Sequence, residues 1–317
     1  MLSVAVAALL AISAFPHHET FSIGTNGQGS LFFATGTAAS AVAVHETALP
    51  FRVAPFGGSS TYLRMINEGE MAFGLANAGE AHFAFAGTEI FDGRPNENLR
   101  MVGALYHMNG QFAVPNDSPL TSIADLAGKR IPTDFSSGVI FKFITGSLLA
   151  TEGLSFRDVK AFPVSNFVQG INALIAGHVD AAYIVVGSGI GAKANAEIRG
   201  GWRFLTYENT PAAAAAMQRV FPFGSPQVLL PSEQLLGVVG PTSMFRAMAY
   251  LLAGTHVSDD VVYELTKTIH TNKQTLGDAF GKFRDFDPEN MATKHSVPYH
   301  AGAIRYFEEV GQWPPKS

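Results

Sequence analysis

Three stretches put small hydrogen-bonding residues where a strand-like run gives way to a helix-like one. The first is "GTNGQGS", Gly24 to Ser30, after the apolar Phe21–Ile23. The second is Gly57-Gly58-Ser59-Ser60, after "FRVAPF", and the third runs from Thr133 to Ser136-Ser137-Gly138. Backbone N–H groups exposed at a helix N-terminus attract negative charge, and the helix dipole adds to the pull. Glycine lets such a backbone approach a ligand closely. The ligand-contact candidates are therefore Thr25, Asn26, Gly27 and Ser30 in the first loop, Ser59 in the second, and Thr133, Ser136, Ser137 and Gly138 in the third. Asn77, after "MAFGLA", suits recognition of a carboxylate or amide, and Tyr183 and Gly187 lie toward the end of another apolar run. Ser59 doubles as a helix N-cap. Glu80 can meet an ammonium group, but a first-turn acid that stabilises its own helix is the reading favoured here. Tyr106 and His107 are expected to wall the pocket.

The same loops argue against nucleotide chemistry. The glycine order is G-x-x-G-x-G, not the G-x-G-x-x-G of dinucleotide folds, and "FRVAPFGG" ends without the acid that would grip a ribose. No Lys follows the glycines as in a phosphate-binding loop. The sequence has no G-x-S-x-G nucleophile elbow and no H-E-x-x-H. His295 and His300 are read as packing or capping residues, and Asp259-Asp260 as a capped first turn. No catalytic residue, cofactor or metal is expected.

The elements that would position these loops alternate strand and helix. "TFSIGT", "FRVAPF" and "MAFGLAN" read as strands, separated by helices over Ser30 to Glu46 and over "SSTYLRMINEG". "AGEAHFAFAG" is a short helix, and "LRMVGALY" and "GQFAVP" read as two further strands. A second unit repeats the design: a short helix capped near Ser122, a strand ending at Asp134, and a helix opening at Ser136-Ser137-Gly138. The strand "VKAFPVS", the helix "NFVQGINALIAGHVD" and the strands "AAYIVVG" and "GWRFLTY" follow, and "AAAAAM" from Ala212 is helical. The tail contributes a strand that crosses back, a helix capped at Ser258, and a last helix from about Val297. This order predicts an α/β chain with a mostly parallel sheet.

At 317 residues the chain exceeds what one core usually serves, so two lobes are expected. Residues 20–115 with 248–317 form the first, 116–247 the second, and two crossing strands join them. Hydrophobic content of 47% against 15% charged residues argues for a packed protein rather than a disordered one. The scattered Lys and Arg make no basic patch for nucleic acid. Cysteine is absent, which removes disulfides, thiolate metal sites, a cysteine nucleophile and a lipid-anchor cysteine. Residues 1–14 are apolar and too short to span a bilayer, so they read as a secretory signal whose basic leading region is missing. The mature chain is expected to be secreted and soluble.

Six ordered stretches resemble one family: "IGTNGQGS", "FGGSSTYLRMINEGEMAFGLAN", "SPLTSIADLAGKRI", "GINALIAGHVDAAYIVVGSG", "HVSDDVVYELTKTIHTNK" and the ending "VPYHAGAIRYFEEVG". The chain resembles the TAXI solute-binding proteins, the periplasmic receptors of one class of TRAP transporters. The resemblance implies a two-lobed, type II-like periplasmic binding protein fold that closes on a small organic anion or acidic amino acid in the cleft. It implies a monomer without catalysis that delivers its ligand to a membrane permease. A receptor of an ABC importer, or an enzyme on the same fold, is the alternative. "TDFSSGV" and "VVGSGIGA" depart from the usual family pattern where ligand would be read, so no particular ligand carries over.

Overall fold

The computed structural model describes residues 20–315; the expected signal segment 1–14 lies outside them. Three strands open the chain: β1 (Phe21–Asn26), β2 (Phe51–Phe56) and β3 (Phe73–Asn77). They pair in parallel around β1, with Phe21 beside Phe51 and Asn26 beside Phe56. Parallel pairing needs crossover connections, and α1 (Leu31–Thr47) and α2 (Ser59–Asn67) supply them. The carboxyl ends of all three strands therefore share one edge. Asn26, Gly57-Gly58 and Asn77 lie along it.

Helix α1 is built of small and apolar residues on every side, and accordingly it is mostly buried. Gly36 lets it sit against the Thr25 methyl, where a Cβ would have no room. Ser30 caps it by accepting from the Phe33 N–H at 3.0 Å. Helix α3 (Ala78–Ala86) starts directly after β3, and Asn77 Oδ1 caps it by accepting from the Glu80 N–H at 3.0 Å. Helix α2 differs from expectation. Its N-cap is Gly58, and Ser59 is already its first residue, so the Ser59 hydroxyl is free for another partner.

The runs read as two strands at 99–106 and 110–115 are one, β4 (Leu99–Pro115). A β-strand can run on where no turn residue forces φ positive, and Gly110 here is extended. The next strands and helices are β5 (Arg130–Asp134), α4 (Ile140–Ala150), β6 (Lys160–Val164), α5 (Phe167–Ile175) and β7 (Ala182–Val185). Then come α6 (Gly189–Glu197), β8 (Trp202–Phe204), α7 (Pro211–Val220), β9 (Ser225–Leu229) and β10 (Thr242–Gly254). Helix α6 and strand β9 had no counterpart in the predicted order. Helix α4 opens at Ile140, four residues after Ser136, because Ser136–Gly138 are spent on a turn.

The sheet runs β2-β1-β3-β10-β4-β7, with β8 added to β4 and β9 to β10; β5 and β6 form a separate parallel pair. It is thus mixed, not mostly parallel. Strand β10 is antiparallel to both β3 and β4, and β7, β8 and β9 are antiparallel to their neighbours. Strands β4 and β10 are the long ones. Each pairs at one end with the first group of elements and at the other with the second. Their register slips twice, between the Ala249 and Tyr250 pairs and between the Leu251 and Leu252 pairs, and such bulges increase local twist.

The tail returns to the first group. Helix α8 (Asp259–Thr271) is capped by Ser258, and α9 (Lys273–Ala279) follows it. Helix α10 (Ala301–Glu309) begins later than Val297, with His300 Nδ1 as its cap accepting from the Gly302 N–H at 3.2 Å. The Met101 N–H donates to the Pro298 carbonyl at 2.8 Å, which ties the tail to β4. Fully buried side chains such as Phe73, Leu251 and Phe307 hold this lobe together. Each contributes roughly 1.5–3 kcal/mol of hydrophobic stabilisation.

Candidate ligand-binding site

The strand-end loops of the first lobe converge on a cavity of about 30 Å3 that the second lobe closes. The first lobe supplies Asn26, Ser30, Ser59, Asn77 and Glu80 to its wall; the second supplies Ile140, Phe141, Ile144, Phe167, Tyr183 and Val185. The space takes about two water-sized groups as the lobes now stand. One wall is polar and the other largely apolar. A larger groove of about 520 Å3 lies on the surface between Ile90 and the Phe143–Phe156 region, but its walls are mostly hydrocarbon. None of the first-lobe strand-end loops reaches it, so the smaller cavity is the candidate site.

The lobes touch on both sides of the cavity. The Ile190 N–H, at the start of α6, donates to the Gly29 carbonyl at 3.0 Å. Gly58 lies so close to the Ser137 carbonyl that a Cβ there would overlap it. Gly79 lies likewise under the Phe221 ring. Phe83 of α3 meets Phe143 of α4 with ring centroids 5.7 Å apart. The Ser137 loop is aimed by an unusual backbone: Asp134 and Phe135 adopt φ of 65° and 47°, left-handed values that non-glycine residues rarely take. Burial of Phe135 in the core holds that conformation.

Glu80 dominates the electrostatics. It is fully buried, and burial raises its carboxyl from 4.5 to about 7 against the opposing effect of hydrogen bonds from the Ser59 hydroxyl and the Ser60 backbone. Ser59 donates to Oε2, while Oε1 accepts from no described residue. Asn26 Oδ1 is a second buried acceptor with no partner among the described residues. Donors face the same space. The Ser30 oxygen is engaged by the Phe33 N–H, which leaves its hydroxyl hydrogen to give. Asn77 caps α3 through its oxygen and keeps its Nδ2 group. The Tyr183 hydroxyl, its pKa pushed well up by burial, stays a neutral donor. No Lys or Arg is among the residues lining the cavity.

Of the residues proposed from sequence, Asn26, Ser30, Ser59, Asn77 and Tyr183 are brought together in this wall. Thr25 points away: its methyl packs on Gly36 and its hydroxyl donates to the Asn26 carbonyl at 3.0 Å. Gly27 lies beside the Phe56 carbonyl, and Gly187 is an exposed turn residue with φ of 78°. Thr133 is buried outside the cavity wall, and its hydroxyl has no partner among the described residues. Ser136, Ser137 and Gly138 belong to the contact between lobes rather than to the lining, because their N–H groups are taken by Val164, Ser165 and Phe135 carbonyls. Tyr106 and His107 do not wall the pocket. The Tyr106 hydroxyl bonds to Thr35 and its ring meets Phe283, while His107 Nδ1 pairs with Arg246 at 2.9 Å. Met108 is the residue of that segment that lines the cavity.

The apolar wall was missed in the sequence. Ile140 and Ile144 stand four apart on α4, which puts them on one face directly after the Ser136–Gly138 turn. That spacing beside a proposed ligand loop was the available signal. Glu80 is both a first-turn acid of α3 and a lining group, so the two readings of it coexist.

A cleft closed by two lobes on long crossing strands defines the periplasmic binding protein fold. The chain belongs to the NMT1-like family, which matches residues 23–311. Among solved structures it is similar to an ancestral arginine-binding protein bound to arginine, at 13% identity and a TM-score of 0.52 over 84% of this chain and 99% of that one. It is also similar to the amino acid ABC transporter substrate-binding protein AbpA from Streptococcus pneumoniae, at 12% identity and a TM-score of 0.50 over 83% of this chain and 95% of that one. The alkanesulfonate-binding protein SsuA from Xanthomonas axonopodis pv. citri matches at 19% identity and a TM-score of 0.49, over 93% and 80%. Among the described residues no helix is long and apolar enough to cross a membrane, and no cluster of side chains suits a metal ion.

Proposed function

We propose that the protein is a periplasmic solute receptor that closes on a small ligand and presents it to an importer in the membrane, without chemical conversion. The observation that carries this is the cavity walled from both lobes, with polar strand-end residues on one side and helix α4 on the other. Closure would bend β4 and β10, with lobes of residues 20–115 plus 248–317 and 116–247 moving as bodies. A monomer suffices, because both walls come from one chain. Its lining offers serine, asparagine and tyrosine donors, and the start of α1 favours an anionic group.

The likeness to an ABC-type binding protein supports delivery to an ABC importer. The ordered motifs of the TAXI resemblance support a TRAP permease instead. The neighbouring permease gene separates them: an ATPase partner fits the first, a large multi-spanning carrier the second. The receptor reading itself is tested by calorimetry of the purified chain with dicarboxylates, keto acids and amino acids. Saturable one-to-one binding with ligand recovered unchanged is expected. Turnover of any of these compounds would refute it.

A further inference from the structure

We infer that the ligand carries an amino group, and that the Glu80 carboxylate and the Asn26 amide oxygen receive it. The inference rests on the receptor reading and on this cavity being its site. Glu80 and Asn26 come from different elements of the first lobe, the start of α3 and the end of β1. Both are more than nine-tenths buried, and both line the cavity. Each presents an oxygen that accepts nothing from any described residue: Oε1 of Glu80 and Oδ1 of Asn26. A buried acceptor left unmatched costs about 1–3 kcal/mol, more if charged, so two in one small space call for a donor that reaches both.

An ammonium group has three N–H donors and the complementary charge. A hydroxyl has one donor, and a carboxylate or sulfonate has none. The rest of the first-lobe wall points the other way, toward an acceptor. The Ser30 hydroxyl, the Asn77 Nδ2 group and the start of α1 offer donors, while no cation lines the cavity. A ligand with an amine at one end and a carboxylate at the other satisfies both halves. A simple dianion would set one negative group against Glu80. Closure matters here because the interaction strengthens when water is excluded.

The test uses the full mature chain and two matched sets of probes. Alanine, glutamate, arginine and ethanolamine carry an amine; lactate, 2-oxoglutarate and ethanesulfonate do not. Calorimetry and thermal stabilisation are measured on the wild type, Glu80→Gln and Asn26→Ser, each checked for cooperative melting. One or more amine-bearing probes should bind the wild type while the amine-free set does not. Glu80→Gln should weaken that binding roughly tenfold to a hundredfold, the loss of a charge-assisted hydrogen bond. Asn26→Ser carries the same test from β1 should Glu80→Gln melt abnormally. Amine-free probes binding as well as their amine-bearing counterparts would overturn the inference and leave the receptor standing. Unchanged amine affinity in both variants would do the same. Binding by neither set would count against the receptor reading at this cavity, and the inference would fall with it.

Discussion

At neutral pH the buried Glu80 works against the fold, and Glu80→Gln isolates that cost. Burial raises its carboxyl from 4.5 to about 7. A rise of that size corresponds to roughly 3 kcal/mol. The sign follows from proton counts. Between about pH 4.5 and 7 the folded chain keeps a proton that the unfolded chain has already released. Stability from this group is therefore complete below about pH 4.5 and is lost as pH rises through about 7. Gln has nearly the same shape, its amide can still meet Ser59, and it does not ionise. Urea unfolding of both proteins across about pH 4 to 8 should give curves that run together at the acid end and separate above it. Near pH 8 the variant should be the more stable by roughly 3 kcal/mol relative to that common limit, a gain of roughly 5 °C in melting temperature. Curves that stay parallel over the whole range would refute the reasoning, since they would mean that the carboxylate is as well solvated folded as unfolded. A residue that destabilises its own fold and faces the cavity is what a stability–function trade-off looks like.

Gly58→Ala places a methyl where the Ser137 carbonyl now lies. It should weaken ligand binding at least tenfold, because the lobes no longer close; small-angle scattering with saturating ligand would check that the compact form is lost. Ser30→Ala removes the cap that accepts from the Phe33 N–H, costing roughly 1 kcal/mol in urea unfolding and one donor to the ligand. His107 is held down at about 4 by burial, with Arg246 and Lys282 beside it. The unfolded chain then binds the extra proton first, so stability should fall as pH drops from about 6.5 toward 4, and His107→Gln should flatten that limb of the acid-unfolding curve.

The local grammar of the chain was legible. The strands β1, β2 and β3, their glycine-bounded ends, and the cap at Ser258 follow from residues within one turn of each other. Capping and helix periodicity act over three or four residues, so neighbours suffice to reveal them. The same holds for the first-lobe half of the cavity, since parallel strands with crossover helices bring their carboxyl ends to one edge. Where neighbours pointed wrongly, distant pairing had decided. The runs 99–106 and 110–115 read as two strands, yet β10 pairs along β4 from Leu99 to Gly110, with two register slips, and keeps it extended through the gap. Thr25 looked like a loop donor until α1 folded back over it at Gly36.

The sequence by itself therefore determined the type of loop at each strand end, the polar residues on offer there, and the alternation that makes an α/β fold. The tertiary structure alone decided which of those residues face one cavity and what that cavity asks of a ligand. Helix α4 brings Ile140 and Ile144 opposite Asn26 and Glu80, and α6 closes on Gly29. Desolvation is a sum over everything packed around a group, most of it remote in the chain. Glu80 is an ordinary first-turn acid when only its neighbours are considered. It becomes a carboxyl titrating near neutrality, with one oxygen unpaired among the described residues, only once both lobes surround it.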